Sequence, residues 1–259
     1  MNYFTQQSIE LANQRNYLDQ LFSVYPLSPD SIREIDGTVW NTIENSFNSN
    51  DNETLFRSLL NLDLFPIKDG YVPYFRKDIS AIERNPKTVN RICGRIREMG
   101  LNELYNRCTQ PKETNRQMGQ LFKRWVNSGA LGLLPVSHDI FVSNNDDAIL
   151  DGADNALADF ARKHLGYTRD KGLDFVARFN GKYIIGEAKF ISDEGGHQND
   201  QFLDAMQTVH CKTNDNVQNI AILDGVLYIR SRKKMYTTIT SSDINVISAL
   251  LLRDYLYSL

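Results

Sequence analysis

The chain has 259 residues and a formal net charge of −3, with 41% hydrophobic and 24% charged residues. This composition is typical of a globular protein with a buried core and argues against a disordered chain. No apolar run approaches the about 20 residues of a membrane span, and the three scattered cysteines form neither a metal-ligand pair nor a disulfide framework, so we expect a cytoplasmic protein without a membrane partner.

Residues 1 to about 80 have apolar positions at helical spacing and no pattern that carries chemistry, which predicts a helical scaffold. The segment NPKTVNRICGRIREMG then predicts a helix with Pro86 near its start and Gly100 past its end. Val89, Ile92 and Ile96 should face inward. The segment PKETNRQMGQLFKRW predicts a further helix. We therefore expect a mainly helical region over residues 1–130.

Positive charge is concentrated in these two helices. From Arg84 to Arg124 the basic residues outnumber the acidic ones by ten to three, although the whole chain is acidic. A protein with one face that binds a polyanion has this asymmetry. A solvated helix face is the alternative for each residue taken singly. The candidates for nucleic-acid contact are Arg91, Arg95, Arg116, Gln117 and Lys123.

A loop-rich stretch near residue 130 predicts the join to a second region, residues 131–259. From residue 150 onward the pattern predicts the order α-β-β-α-β-β-α. The second strand pair is expected around Asp224-Gly225, and a closing helix should be capped by Ser242 or Asp243. This order predicts an α/β core, a mixed β-sheet flanked by helices.

The segment GLDFVARFNGKYIIGEAKF, residues 172–190, predicts a β-hairpin. Asn180-Gly181 is a strong signal for a two-residue turn, and it pairs Phe179 with Lys182. In this register Asp174 lies opposite Glu187, and Lys189 shares their face of the sheet. Two opposed carboxylates repel each other unless one is protonated or a cation lies between them.

Oxygen ligands of this kind suit Mg²⁺, which binds one or two carboxylates and keeps several waters. A Lewis acid, an activated water and a nearby lysine are the parts of metal-assisted phosphodiester hydrolysis. The alternative is an exposed hairpin face on which Lys189 forms an ordinary salt bridge with one acid.

Asp174 followed by Glu187-Ala188-Lys189 resembles the PD-(D/E)XK nuclease superfamily, with Leu173 in the place of that motif's proline. The longer segments around the motif look like type II restriction endonucleases. The resemblance implies a restriction-endonuclease-like core over residues 131–259, with the helical region 1–130 as scaffold and DNA contact. It further implies that Asp174 and Glu187 ligate Mg²⁺ and that Lys189 assists the water or the phosphate.

Acids and amides on neighbouring helices often complete such sites, and the candidates are Asp154, Gln198 and Gln201. Helix capping by Asp154 and surface positions for the two glutamines are the alternatives. The resemblance implies double-stranded DNA as substrate, a homodimer on a palindromic site, and a cognate DNA methyltransferase in the same system without direct contact.

Two other functions stay open. One is a structure-selective nuclease of DNA repair or recombination, and the other is a DNA-binding protein with a degenerate nuclease core. The segment YIRSRKKMY, residues 228–236, either contacts phosphates or is a solvated turn.

Overall fold

The computed structural model describes residues 1–26, 33–111 and 114–259, and of residues 114–116 it describes only the backbone. Two compact units emerge: the sheet unit, Met1–Leu27 with Thr114–Leu259, and the helical unit, Ser28–Glu113. This division differs from the predicted boundary near residue 130, because the first and last helices of that region pack in the sheet unit. No helix among the described residues has the length and apolar character to cross a bilayer.

The helices have these bounds in chain order: α1 Tyr3–Ala12, α2 Tyr17–Leu21, α3 Gly37–Asn48, α4 Asn52–Leu60, α5 Val72–Lys77, α6 Ala81–Arg84, α7 Pro86–Met99, α8 Leu101–Cys108, α9 Thr114–Asn127, α10 His138–Ser143, α11 Asp154–His164, α12 Gly196–Val209, α13 Lys234–Ser241 and α14 Ala249–Tyr257. The strands are β1 Ala148–Ile149, β2 Phe175–Phe179, β3 Lys182–Ile191, β4 Val217–Gly225 and β5 Val246–Ile247.

The helical unit has its own apolar core. Its best-predicted helix is α7, in which Pro86 occupies the first turn and Gly100 ends the helix with φ +79. Val89, Ile92 and Ile96 are buried, as the spacing predicted. The predicted helix is therefore confirmed in its bounds and in its inward face.

In the sheet unit one mixed sheet has the strand order β1-β2-β3-β4-β5. Strands β1, β2 and β3 are antiparallel neighbours, whereas β3, β4 and β5 run parallel. The parallel step from β3 to β4 passes through α12, since parallel neighbours need a crossover. The predicted fold class, a mixed sheet flanked by helices, is confirmed.

The predicted strand pair around Asp224-Gly225 is wrong. Strand β4 ends at Gly225, whose φ is +105, and a short 3₁₀ turn, Val226–Tyr228, follows it. A Cβ at Gly225 would lie 2.1 Å from the Ile191 carbonyl oxygen, so the chain turns where only glycine fits. Tyr228 enters the core and no second strand forms there.

The predicted start of the closing helix is also wrong. Helix α14 begins at Ala249, and its cap is Ser248, whose side chain accepts from the Leu250 amide. The residues before it form β5, which pairs parallel with β4. Long-range pairing therefore replaced the expected first turn of that helix.

A buried carboxylate ties the start of the chain to the sheet. Asp224, at the end of β4, accepts hydrogen bonds from the hydroxyls of Tyr17 (3.2 Å), Tyr25 (3.0 Å) and Ser248 (2.5 Å), and from the Ala249 amide (3.2 Å). Burial raises the pKa of Asp224 to about 6, although these hydrogen bonds oppose the shift. This network holds Tyr25 against β3, where its ring contacts Phe190 at 5.5 Å.

Candidate active site

The hairpin of β2 and β3 positions the predicted acids. Asn180 and Gly181 both have positive φ, +50 and +75, as a two-residue hairpin turn requires. The strands pair from Phe179 with Lys182 to Phe175 with Gly186. The Asp174 amide then donates to the carbonyl of Gly186 (3.1 Å), the residue that already pairs with Phe175, so the regular pairing ends at Phe175. The predicted register is therefore confirmed from Phe179 to Phe175, whereas Asp174 does not continue it as a direct partner of Glu187.

The three predicted side chains meet at one point. The Nζ atom of Lys189 lies 2.9 Å from Oδ2 of Asp174 and 2.6 Å from Oε1 of Glu187. The same Nζ donates to the carbonyl oxygen of Ala188 at 3.1 Å. Three oxygen atoms thus converge on one positive charge, and both carboxylates lie on the same side of the sheet.

Glu187 is buried, with 3% of its surface exposed. Its second oxygen, Oε2, is buried and has no hydrogen-bond partner among the described residues. Burial, followed by the charge of Asp174, raises the pKa of Glu187 to about 7, although Lys189 opposes the shift. The alternative interpretation expected a salt bridge between Lys189 and an acid on an exposed hairpin face. Lys189 does form salt bridges, but the face on which they lie is mostly buried.

Lys189 keeps its proton in this arrangement. Burial alone would lower the pKa of Lys189, but the charges of Asp174 and Glu187 and the hydrogen bonds to both outweigh it and raise that pKa. The lysine is therefore a charged hydrogen-bond donor here. It is not poised to accept a proton.

The donor set suits a hard cation. Two carboxylates, of which Glu187 has an unpartnered buried oxygen, and one backbone carbonyl are the ligand types that Mg²⁺ prefers, with waters completing its shell. No cluster of three or more His, Cys, Asp or Glu side chains is placed to hold a metal among the residues that the structure describes. The oxygen donors of the site fit a cation that keeps several waters.

Of the three predicted supporting residues, Gln201 shares a cavity with Lys189. Both line a cavity of about 160 Å³ beside β3. Gln198, three residues earlier on α12, is instead buried, and its Oε1 accepts from the Ser192 amide at 3.2 Å. Asp154 pairs with Lys123. Asp154 makes no side-chain cap to α11, whose N-cap position is Ala153, so the capping alternative is wrong.

The predicted nucleic-acid contacts are divided between the two units. In the helical unit Arg91 pairs with Asp69 at 2.8 Å, and Arg95 is exposed. In the sheet unit Gln117 is half-buried, and Lys123 lines a small cavity together with Asp174. The side chain of Arg116 lies outside the described residues.

Sequence reasoning missed two parts of the site. The Ala188 carbonyl carries no signal in the residue type, because its role comes only from the backbone path. The wall of the cavity beside Lys189 is formed by Tyr25, Met118, Gly119 and Phe122, which come from distant parts of the chain. Met118 and Phe122 are buried apolar residues four apart on α9, but nothing local indicated what they pack beside.

Comparison with known proteins gave one family. The model of the Tsp45I type II restriction enzyme family matches residues 2–259, essentially the whole chain. No curated protein and no solved structure matched in the corresponding searches.

Proposed function

This chain belongs to the Tsp45I type II restriction enzyme family, and we propose that it hydrolyses phosphodiester bonds of double-stranded DNA at one short sequence, with Mg²⁺ held by Asp174 and Glu187. The observation that carries the proposal is the convergence of Asp174 Oδ2, Glu187 Oε1 and the Ala188 carbonyl on one cationic point. Family membership supports restriction-type DNA cleavage, and the geometry supports the choice of these residues.

Asp174 and Glu187 bind the cation through their carboxylate oxygens. Mg²⁺, when bound, supplies Lewis-acid polarisation of a phosphoryl oxygen. The Ala188 amide donates to Asp174 Oδ2 at 2.9 Å and fixes the orientation of that carboxylate. Burial of Glu187 excludes bulk water and strengthens every charge interaction at the site.

Lys189 acts as a charged donor to the scissile phosphate. As a charged donor it would hydrogen-bond an oxygen on which negative charge develops, or orient the attacking water. Gln201, in the same cavity, is placed to orient the phosphate or the attacking water.

The decisive experiment is digestion of a sequenced phage DNA with Mg²⁺, followed by mapping of the fragment ends. We expect discrete ends that share one short sequence, and no cleavage after chelation by EDTA. Lys189→Ala and Asp174→Ala should abolish cleavage while sequence-specific binding stays measurable. Retained cleavage in both variants overturns the assigned residues, and cleavage confined to flaps, nicks or junctions supports the structure-selective nuclease instead.

We expect a homodimer by symmetry if the mapped site is a palindrome cut in both strands, and a monomer that cuts the two strands one after the other is the alternative. Sedimentation of the chain with and without its mapped duplex measures the stoichiometry. A DNA methyltransferase of the same specificity would protect the host DNA without contacting this chain, and DNA methylated at the mapped site should resist cleavage.

A further inference from the structure

A second feature lies at the end of the sheet that carries the proposed active site. Strands β3 and β4 are parallel and end together, because Ile191 pairs with Gly225. Lys189 lies two residues before this end of β3. The segments that follow β3 and β4 therefore leave the sheet at the edge where Asp174, Glu187 and Lys189 meet.

The segment that follows β4 is strongly basic. After the 3₁₀ turn the chain reads IRSRKK, residues 229–234, with no acid among the six. The basic residues are all exposed, namely Arg230, Arg232, Lys233 and Lys234. We call these four residues the basic rim.

The basic rim is held in place from three sides. Buried Tyr228 precedes it and buried Met235 follows it. The Asn13 side chain donates to the Tyr228 carbonyl at 2.9 Å, which brings the turn after α1 beside the rim. Lys233 pairs with Glu194 at 3.1 Å, and Glu194 belongs to the loop that follows β3.

This last contact links the basic rim directly to the chain that leaves the active-site strand. Glu194 neutralises only Lys233, so three exposed cations remain without an ion-pair partner among the described residues, namely Arg230, Arg232 and Lys234. The backbone of this segment is anchored at both ends, so binding a polyanion would order mainly the side chains. Duplex DNA has the complementary charge, about one negative charge per 1.7 Å of its axis.

We propose that the basic rim binds the phosphodiester backbone of duplex DNA beside the cleaved bond, as a contact that does not depend on base sequence. The inference rests on the proposed function, since it requires duplex DNA at the active-site edge. Phosphate contacts fix the register of a protein on a duplex and carry no sequence information of their own. The basic rim would therefore increase the affinity for DNA and position the scissile bond, but it would not contribute to sequence specificity.

The test is the salt dependence of DNA binding, measured by fluorescence anisotropy in EDTA. Two duplexes are used, one with the mapped cleavage site and one without it. The rim variant combines Arg230→Ala, Arg232→Ala and Lys234→Ala. Each lost phosphate contact should reduce the slope of log K against log salt by about 0.9, so we expect a reduction of about 2 to 3. Both duplexes should weaken by the same factor, so that their affinity ratio stays unchanged.

A matched control removes three exposed lysines away from this edge, through Lys163→Ala, Lys182→Ala and Lys212→Ala. Lys182 and Lys212 lie at the opposite end of the sheet, where β3 begins and before β4 begins. The control should keep the slope of the wild type. A second variant, Arg230→Lys with Arg232→Lys, retains the charge and should also keep that slope.

Two failures are distinguishable. A wild-type chain that binds neither duplex and cleaves no DNA overturns the proposed function and this inference with it. A wild type that binds and cleaves, beside a rim variant with an unchanged slope or with the same loss as the control, overturns the inference alone.

Discussion

The backbone amide of Ala188 donates a hydrogen bond to Oδ2 of Asp174 at 2.9 Å. This bond ties the first acid of the motif to the backbone between the second acid and the lysine. Asp174 lies just before β2, and its position relative to Glu187 depends on this bond and on the bond from its own amide to Gly186. The carboxylate therefore has a structural partner that an amide side chain can also satisfy.

Asp174→Asn separates the charge of this side chain from its structural role. The asparagine side-chain carbonyl can still accept a hydrogen bond from the Ala188 amide. We therefore expect the free energy of unfolding to change by less than about 1 kcal/mol. Loss of the negative charge should lower the cleavage rate by at least about 100-fold, since a metal ligand is removed. Cleavage of the mapped duplex and thermal melting measure the two effects. Asp170→Asn, an exposed neighbour, is the control and should cleave normally; equal rates for the two variants would contradict the role of Asp174.

Lys189→Met tests the convergence of oxygens on one cation. Without the ammonium group two nearby carboxylates lose their partner, and we expect the chain to lose about 3 kcal/mol of stability in EDTA. Mg²⁺ should restore part of this loss, so the melting temperature of the variant should rise more with Mg²⁺ than that of the wild type.

Differential scanning fluorimetry with and without Mg²⁺ makes this comparison. Lys182→Met, at the exposed start of β3, is the matched control and should show the Mg²⁺ response of the wild type. A Lys189→Met variant that responds to Mg²⁺ no more than this control would argue against a cation site between Asp174 and Glu187.

Gln198 and Gln201, three residues apart on α12, should have different roles. Gln198 is buried and its Oε1 accepts from the Ser192 amide, so Gln198→Ala should cost about 1 to 2 kcal/mol of stability. Gln201 shares a cavity with Lys189, so Gln201→Ala should lower the single-turnover rate constant of cleavage by about 10-fold or more with little change in stability. Urea denaturation and single-turnover cleavage measure the two quantities, and the opposite pattern would refute the assignment.

Asp224→Asn tests the buried carboxyl that holds Tyr25 against β3. The pKa of Asp224 is raised from 3.8 to about 6, so the unfolded chain loses this proton first as the pH increases. The stabilising contribution of the neutral group is therefore complete below the unfolded value and is lost as the pH rises through about 6. A shift of this size corresponds to about 3 kcal/mol.

The measurement is the free energy of unfolding of the wild type and of Asp224→Asn at several pH values from 4 to 7. The asparagine does not titrate. The free energy of unfolding of the wild type should therefore decrease relative to that of Asp224→Asn as the pH rises. Other titrating groups are common to both proteins and cancel in the difference. A difference that is independent of pH would show that Asp224 has an ordinary pKa.

Several elements were predictable because their signals are local. Asn180-Gly181 selects a turn with two positive φ angles, and the turn fixes which residues of β2 and β3 face each other. Helix α7 was predictable for the same kind of reason, since Pro86 and Gly100 mark its ends. The predictions failed where distant pairing overrode a local pattern, as at Gly225 and in β5.

The sequence by itself determined the hairpin and its register from Phe179 to Phe175, because a two-residue turn and a strand period of two fix which residues face each other. Only the folded structure decided how Asp174, beyond the paired residues, reaches Lys189, through the bonds of its amide to Gly186 and of its carboxylate to the Ala188 amide. It also decided that Glu187 is buried with an unpartnered oxygen and that Tyr25 borders the cavity beside Lys189. The burial and the cavity depend on packing between segments far apart in the chain, which no local pattern of residues encodes.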